Sequence, residues 1–410
     1  MDQPFSVPQA LLEKPSFNWV NFLFLTSTPL LALVIVPWYL HHYDMTGAEF
    51  AIQFFFFMIT GLGITMGYHR FFSHKTYEAN PFVKLTLLVF GAMAIQNSAL
   101  LWSSDHRKHH QFTDTDQDPY NAKRGFWFSH IIWIFWEAPD RSNISNVKDL
   151  AGDPLVMWQH RNYLMIAILG NVLLLTLFGL IIGNVLGVFV MSGLFRIVLN
   201  HHFTFFINSF AHITGTQPYS QKDTSRDNFL LALFTYGEGY HNFHHRFPND
   251  YRNGVRWYQF DPSKWVILAF EKIGWTSKLN RTPFEFILRE KVKQHKSGVE
   301  TLWDRFREKD PKTFQQVTST LHSLKTKIDQ AETKMQEAFA QLQKIRENNS
   351  KTTGANKNGA LSPSVFPKTS CKSIFKMARK NAENAYEEWL RLMQQIITHV
   401  KVALPSALAA

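Results

Sequence analysis

The sequence contains one cysteine, Cys371, among its 410 residues. A single cysteine cannot form an intrachain disulfide or supply the thiolates of an iron–sulfur cluster, which excludes both features. Basic residues are also scarce in the first sixteen positions, and the apolar run that follows is longer than the core of a signal peptide. We therefore predict no cleaved targeting peptide.

The basic residues are not gathered into one patch with interleaved aromatic residues, so we predict no nucleic-acid partner. The formal net charge is nevertheless +11. A positive balance of this size is typical of a chain that contacts anionic lipid headgroups or a phosphorylated small molecule.

Charged residues are almost absent from four long apolar stretches. These are residues 17–40, 50–68, 163–182 and 185–206. Each can cross a hydrocarbon core of roughly 30 Å, which takes about 20 helical residues, so we predict an all-α fold with four transmembrane helices. A fifth apolar stretch, residues 82–102, contains Lys84, Gln96 and Asn97 and is predicted to be interfacial or re-entrant. Arg196, within the fourth stretch, is interpreted either as a buried residue with a polar partner or as a residue facing a substrate path.

The distribution of positive charge predicts how these stretches cross the membrane. The loops at residues 41–49 and 183–184 contain no Lys or Arg, whereas residues 70–161 contain many. Positive residues accumulate on the cytoplasmic side of a membrane. We therefore predict two helical hairpins, with both chain ends and a helical cap of residues 69–160 and 207–300 in the cytoplasm.

Histidines are clustered in the predicted cap. The clusters are His69 and His74; His106, His109 and His110; His241, His244 and His245; and His212, which follows Asn208 by four residues. Residues at i, i+3 and i+4 leave one face of a helix, so each triplet is expected to converge on a point. Because neutral imidazole is the commonest side-chain metal ligand, we interpret these nine histidines as metal ligands.

The number of histidines indicates two metal ions. One zinc ion takes four ligands, whereas two metals with four or five imidazoles each fit the nine candidates. The His-Glu-x-x-His segment of zinc peptidases does not occur. Imidazole ligands alone permit iron, zinc, copper or nickel. His69 and His74 would be about 140° apart on an α-helix, so we predict a helix end between them.

Four segments, HRFFSH, DHRKHH, NSFAH and GEGYHNFHH, occur in this order among the apolar stretches. Together with QDPYNAKRGFWFSHIIW and FPNDYRNGVRWYQFDPSKW, they resemble the membrane fatty acyl desaturases of the delta-9, stearoyl-CoA desaturase type, in a bacterial-like branch. The resemblance implies two iron ions held by the nine histidines, with Asn208 joining through water. It also implies a multi-pass protein of the bacterial inner membrane.

The same resemblance implies that dioxygen removes two hydrogens from a saturated chain of sixteen or eighteen carbons and leaves a cis double bond at the delta-9 position. Electrons are expected from a separate ferredoxin or cytochrome with its reductase, because no haem-binding His-Pro-Gly-Gly segment occurs. A hydroxylase of the same fold is one alternative. A protein that binds or transports divalent metal is an alternative of a different class, but the first three uncharged spans argue against it.

Several polar residues are candidates for substrate binding. By the resemblance, Gln96, Asn97, Trp102 and Thr204 line a bent acyl tunnel, although they equally suit a polar patch that keeps residues 82–102 from crossing. Arg107 and the Lys123-Arg124 pair are candidates for holding a phosphorylated headgroup. Animal acyl-CoA enzymes of this family carry a basic pair shortly after the tryptophan matching Trp133, where this chain has Trp136-Glu137. The resemblance implies acyl-CoA as the substrate, and the missing basic pair keeps acyl-lipid as the alternative.

The last part of the chain has a different pattern. Apolar residues alternate steps of three and four at Phe314, Val317, Leu321, Leu324, Ile328, Ala331, Met335, Ala338, Leu342 and Ile345, the seam of a coiled coil. Trp389, Leu392 and Ile396 mark the apolar face of another helix. We predict a desaturase domain at residues 1–300, a coiled-coil-like helix at 301–347, a flexible linker at 348–370, and an amphipathic helix with a tail at 371–410.

Overall fold

A computed structural model describes residues 15–138, 143–309, 311–354 and 368–403. Most of these residues are helical, and the chain divides into two compact units, Met1–Thr282 and Pro283–Ala410. All nine candidate histidine ligands belong to the first unit.

Four helices in the described part of the chain are long and apolar enough to cross a membrane. They are Trp19–His42, Gly47–Ser73, Tyr163–Ile182 and Val185–His212. The predicted number of apolar spans is confirmed, and the second and fourth extend beyond their predicted bounds. Many apolar side chains on these helices face outward, with Leu33 72% and Leu180 67% exposed. Apolar surface of this kind suits lipid contact.

The two loops that join the spans meet at Glu49. Thr46 and Glu49 form a capping box at the start of the second span, in which the Thr46 amide donates to Glu49 Oε2 at 2.7 Å. Glu49 Oε1 also accepts a hydrogen bond from Asn184 Nδ2 at 2.9 Å, in the turn before the fourth span. The two connecting loops therefore lie at the same end of the helices.

The second span changes its winding before the first histidine. Gly47–Leu62 is α-helical, and Gly63–Ser73 is a π-helix that ends where the His74 amide donates to the His69 carbonyl oxygen at 3.1 Å. Because a π-turn holds one more residue than an α-turn, residues five apart lie on nearly the same face. The helix therefore ends between His69 and His74, as predicted, and its π-helical winding brings their rings to 4.9 Å.

The fifth apolar stretch is divided into two helices, Pro81–Met93 and Ala99–Phe112. At 1.5 Å per residue the first is about 20 Å long, which is less than the hydrocarbon core requires. Between them Ile95 and Asn97 have φ angles of 56° and 82°. These left-handed residues redirect the chain toward the helix that carries the second histidine cluster.

Arg196 has polar partners on three other segments. It is fully buried, and its guanidinium donates to Thr60 Oγ1 at 3.1 Å, Asn171 Oδ1 at 2.5 Å and the Met93 carbonyl at 3.3 Å. The structure thus favours the interpretation of Arg196 as a buried residue that joins the spans through hydrogen bonds.

Short elements complete the first unit. The helices are Phe126–His130, Lys148–Ala151, Pro154–Arg161, Phe229–Phe234, His241–Arg246 and Pro262–Lys272, with 3₁₀ turns at Ala122–Arg124, Ile132–Phe135, Ser145–Val147 and Phe210–His212. Within the fourth span, Val185–Val188 and Arg196–Ser209 are α-helical and Phe189–Phe195 is a π-helix. Two antiparallel strand pairs join Ser16–Phe17 to Trp136–Glu137 and Glu78–Ala79 to Thr276–Ser277.

The second unit contains the helices Phe284–Lys309, Pro311–Gly354 and Lys368–Ala403. Its buried core includes Ile328, Ala331, Met335, Ala338 and Leu342 from the predicted seam, together with Trp389. Ile345 and Leu392 pack against this core and are partly buried. The side chains of Phe314, Val317, Leu321, Leu324 and Ile396 lie outside the described residues, as does most of the predicted linker, residues 355–367.

Candidate metal centre

Four separate segments carry the histidines to one place. The π-helical end of the second span provides His69 and His74, and the helix Ala99–Phe112 provides His106, His109 and His110. The last turn of the fourth span provides His212, and the helix His241–Arg246 provides His241, His244 and His245. Sequence spacing identified these histidines, and the tertiary fold brings all nine together.

The nine histidines form two groups that could each hold a metal ion. A five-histidine group contains His69, His74, His106, His110 and His244, and a four-histidine group contains His109, His212, His241 and His245. Within each group the ligand nitrogens lie within 4.8 Å of one another. Each triplet is therefore divided between the groups, so the expectation that three rings converge on one point is wrong.

The geometry of an α-helix accounts for this division. Residues four apart differ by about 40° around the axis, whereas residues three apart differ by about 60° in the opposite sense. His106 and His110 accordingly share the five-histidine group, and His109 joins the other. The same rule places His241 and His245 together and sends His244 to the five-histidine group.

The inward nitrogens are separated by distances that suit ligands on one ion. The Nε2–Nε2 distances in the five-histidine group are 2.9 Å for His69–His244, 2.8 Å for His74–His106 and 2.9 Å for His110–His244. In the four-histidine group they are 3.1 Å for His212–His241 and 3.0 Å for His241–His245. Two nitrogens about 2.1 Å from one metal at right angles would be about 3.0 Å apart.

Several outward nitrogens are held by hydrogen-bond partners. His69 Nδ1 lies 2.8 Å from Glu238 Oε2, and His109 Nδ1 lies 2.8 Å from Asp118 Oδ1. His106 Nδ1 is 3.1 Å from the Tyr120 hydroxyl, and His212 Nδ1 is 2.9 Å from Thr224 Oγ1. A histidine that ligates a metal characteristically donates its other ring nitrogen in this way, which leaves Nε2 unprotonated and directed inward.

Burial favours the neutral form of six histidines of the metal centre. It is the largest cause that lowers the pKa well below the usual 6.5, and neighbouring imidazoles lower it further. This holds for His74, His106, His110, His241, His244 and His245. Neutral imidazoles have the free lone pair that a metal requires. Lone pairs that converge in a buried site repel one another unless a cation lies between them, so the donor set fits a pair of metal ions.

Sequence reasoning did not identify the carboxylates around the histidines. Glu238 accepts hydrogen bonds from Arg70 Nε at 3.1 Å and Nη2 at 2.9 Å, and Arg70 Nη2 also lies 2.9 Å from Asp261. Two signals were available in the sequence. Glu238 precedes His241 by three residues, and Asp118 lies in an acidic segment just after the helix that carries His109.

Of the residues expected to line an acyl tunnel, Trp102 contacts a candidate metal ligand directly. The Trp102 ring stacks on the His106 ring with centroids 4.9 Å apart, and Gln96 Nε2 donates to Thr204 Oγ1 at 3.0 Å. The backbone N–H of Asn97 donates to the Tyr163 hydroxyl at 3.0 Å. Asn208 lies on the helix Arg196–Ser209, one turn before His212.

Arg107 is fully occupied by protein partners. Its Nε donates to the Ser73 carbonyl at 2.9 Å, Nη1 to the Asn146 carbonyl at 2.8 Å and Nη2 to the Phe72 carbonyl at 2.8 Å. The two remaining N–H groups reach Asp149. An arginine has five N–H donors, so none is left for a substrate headgroup. By contrast, Lys123 is exposed, and Arg124 lies over the Phe128 ring at 3.6 Å.

The fold and the histidine groups define a mainly helical membrane protein with a candidate two-metal centre. The chain belongs to the fatty acid desaturase family, because the family model named Fatty acid desaturase matches residues 46–272. This confirms the family that the histidine segments indicated.

Curated relatives support the same family. The "Probable acyl-CoA desaturase" of Schizosaccharomyces pombe is 41% identical over 288 residues, which cover 70% of this chain and 59% of the relative. "Acyl-CoA desaturase 1" of Saccharomyces cerevisiae is 37% identical over 265 residues, 63% of this chain and 50% of the relative. The "sn-2 palmitoyl-lipid 9-desaturase" of Nostoc sp. is 34% identical over 275 residues, 66% of this chain and 92% of the relative. This chain thus matches half to three fifths of the two yeast proteins.

Proposed function

We propose that this protein is an oxygen-dependent fatty acyl desaturase that introduces a cis double bond at the delta-9 position of a saturated acyl chain of sixteen or eighteen carbons. The observation that carries the proposal is the pair of buried histidine groups, in which nine imidazole rings gather at two candidate metal positions in a chain of the fatty acid desaturase family. Bound irons would supply the redox chemistry, in which dioxygen takes two electrons from the substrate and two from a carrier and becomes two waters.

The nine histidines are proposed to hold two ferrous ions, with Asn208 joining the centre through water. The chain's own contribution is to hold the rings in the orientation that a metal requires. Burial excludes bulk water from the site, while Glu238 and Asp118 orient His69 and His109. The electron carrier is proposed to be a separate ferredoxin or cytochrome with its reductase.

The acyl chain is proposed to pass beside Trp102, Gln96, Asn97 and Thr204. These four residues would form one wall of the acyl path. Trp102 contacts His106 directly, so an acyl chain along this wall would lie next to the five-histidine group. The Gln96–Thr204 hydrogen bond links the loop after Pro81–Met93 to the fourth span and would fix the shape of the wall. We do not propose that Arg107 holds the substrate headgroup, because all of its N–H donors are bound to protein partners. The exposed Lys123 is the proposed headgroup contact.

Acyl-CoA is the proposed form of the substrate, as in the names of the two yeast relatives. Acyl-lipid is the second candidate, since the Nostoc relative named for a palmitoyl-lipid is matched over 92% of its length. To distinguish the two substrates, purified protein in lipid nanodiscs is supplied with an electron donor and either stearoyl-CoA or stearoyl phospholipid, and the rates of desaturation are compared. Faster conversion of the phospholipid would assign the lipid-linked substrate.

The spans are proposed to form two hairpins with both chain ends and the metal centre in the cytoplasm of a bacterial cell. The contact between Glu49 and Asn184 supports this arrangement, because it places the two connecting loops on one side. Reporter fusions test it. Reporters at residues 78–80 and at Gly125 should score on the same side, and one at Gly183 on the opposite side.

The activity is tested in a host that lacks its own delta-9 desaturase. Expression should produce cis-monounsaturated chains in the lipid extract, as measured by gas chromatography with mass spectrometry, and His106→Ala should produce none. Hydroxylated chains would assign the hydroxylase alternative. Unchanged saturated chains, despite good expression and a supplied electron donor, would overturn the proposed function.

A further inference from the structure

The loop that follows the helix Ala99–Phe112 returns to the metal centre through two aspartates. Asp118 is buried, and its Oδ1 lies 2.8 Å from His109 Nδ1. Asp114 accepts hydrogen bonds from the Thr224 amide at 2.6 Å and the Thr224 hydroxyl at 2.7 Å. Thr224 in turn contacts His212. His109 and His212 both belong to the four-histidine group, so the loop supports one member directly and a second through Thr224.

The contacts of Asp118 determine which nitrogen of His109 carries the proton. Its Oδ1 accepts a hydrogen bond from the Tyr120 amide at 3.2 Å, and its Oδ2 accepts one from the Asp114 amide at 3.0 Å. Backbone amides only donate, so both carboxylate oxygens act as acceptors. His109 Nδ1 must therefore donate, which leaves Nε2 unprotonated and directed at the metal position.

Asp114 fixes the proton of His212 in a similar way, but through the hydroxyl of Thr224. The single hydroxyl hydrogen of Thr224 is donated to Asp114 Oδ1, so the Thr224 oxygen is an acceptor toward His212 Nδ1 at 2.9 Å. His212 thus carries its proton on Nδ1 and presents Nε2 inward. The Asp114 amide donates to Asp118, which joins the two supports into one unit.

A different set of residues holds His69 of the five-histidine group. His69 Nδ1 contacts Glu238, whose oxygens also accept from Arg70 and Asn253, and Arg70 in turn contacts Asp261. These residues lie on other segments of the chain. The loop touches the five-histidine group through Tyr120, whose hydroxyl is 3.1 Å from His106 Nδ1.

We propose that Asp118 and Asp114 are positioning residues for the four-histidine group, and that the two metal positions are supported separately. This inference rests on the proposed function for the identity of the metal. Asp118 acts on His109 directly, and Asp114 acts on His212 through Thr224. Removing the Asp118 or the Asp114–Thr224 contact should therefore empty the four-histidine position while the five-histidine position keeps its ion.

Asp118→Asn is the decisive substitution. An amide has one acceptor and one donor end, whereas Asp118 meets donors at both oxygens. In one orientation the NH₂ group of the new asparagine faces the backbone N–H of Asp114, so two donors oppose each other. In the other orientation the NH₂ group faces His109 Nδ1 and favours the tautomer that cannot ligate a metal through Nε2. Loss of a support of this kind lowers metal affinity by about 10- to 100-fold.

The experiment measures iron per chain on the full-length protein, loaded with ferrous iron under anaerobic conditions and then treated with a chelator. Wild-type protein should keep two irons and Asp118→Asn one. Asp116→Asn is the matched control, because Asp116 is an exposed aspartate of the same loop. Thr224→Val should also lose one iron, while Thr224→Ser, which keeps the hydroxyl, should keep two.

Double variants identify the position that is lost. Adding His241→Ala to Asp118→Asn should leave one iron, because both changes affect the four-histidine group, whereas adding His244→Ala should remove the remaining iron. Circular dichroism and gel filtration of each variant confirm that it is folded.

Two outcomes would overturn the inference. Retention of both irons by folded Asp118→Asn, with wild-type resistance to the chelator, would show that Asp118 does not position His109. Loss of both irons would show that the positions share one support. If wild-type protein itself binds no iron, the proposed function fails instead, so the two failures are distinguishable.

Discussion

Arg107 and Asp149 form a two-point ion pair, with Nη1 to Oδ1 at 2.7 Å and Nη2 to Oδ2 at 3.0 Å. Burial raises the pKa of Asp149, but the neighbouring guanidinium of Arg107 and ammonium of Lys75 together outweigh it and hold that pKa well below its usual value. This pair ties the helix that carries His106, His109 and His110 to the helix Lys148–Ala151.

Arg107→Lys should lower the stability of the first unit. A lysine has three N–H donors on one nitrogen and cannot reproduce the two-point pair or the contacts to three carbonyls, so we expect a loss on the order of 2 kcal/mol. Thermal unfolding of the full-length protein measures it. Lys123→Gln, an exposed basic residue of the same unit, should leave the melting temperature unchanged. An unchanged melting temperature in Arg107→Lys would contradict the structural role.

His109→Ala should remove a metal ligand and abolish turnover. We expect the metal affinity of the four-histidine group to fall by more than about 100-fold, because loss of a ligand exceeds the loss of its hydrogen-bond support. Iron content and desaturation are measured on the same sample. His41→Ala is the control, since His41 is exposed and outside both groups. Normal iron and normal turnover in His109→Ala would refute the site.

Thr204→Val should change how the acyl chain is held. The substitution removes the oxygen that accepts from Gln96 Nε2, and a lost hydrogen bond of about 1 kcal/mol corresponds to about a fivefold fall in kcat/KM. We also expect some products with a displaced double bond, measured by mass spectrometry. Thr204→Ser keeps the acceptor and should behave as wild type. Identical rates and products for the valine variant would exclude this role.

Trp389→Ala should destabilise the second unit. Trp389 is fully buried in the core of that unit, and removal of such a side chain costs about 3–5 kcal/mol. Limited proteolysis should cleave residues 283–403 faster in this variant, whereas Met377→Ala, at a position 61% exposed, should resemble wild type. Equal cleavage rates in the two variants would contradict the assigned core.

Removal of the second unit should spare the chemistry. All nine candidate ligands lie before Thr282, so a chain that ends there should bind two irons and desaturate. A cut after Glu347 removes Trp389 from the core that contains Met335 and Leu342, and that product should aggregate more readily. A folded chain ending at Thr282 that is inactive with a supplied electron donor would assign the second unit an essential part.

The sequence by itself was enough to predict the four apolar spans and to select the nine histidines as candidate metal ligands, because both inferences depend on local properties. Hydrophobic length is read directly from composition, and i, i+3, i+4 spacing is a property of a single helix. The family followed from the same segments. The apolar seam around Met335 was also visible, since its period does not depend on what covers it.

The tertiary structure decided how the histidines are shared. His109 lies one residue from His110 in sequence yet joins His212, His241 and His245, because the relative rotation of four distant segments sets which rings meet. The π-helix that aligns His69 with His74 also depends on packing, since its sequence does not distinguish it from an α-helix. The roles of Asp118, Glu238 and Arg107 required knowledge of their distant partners. A polar side chain acquires a role only when the fold supplies the atom that it contacts.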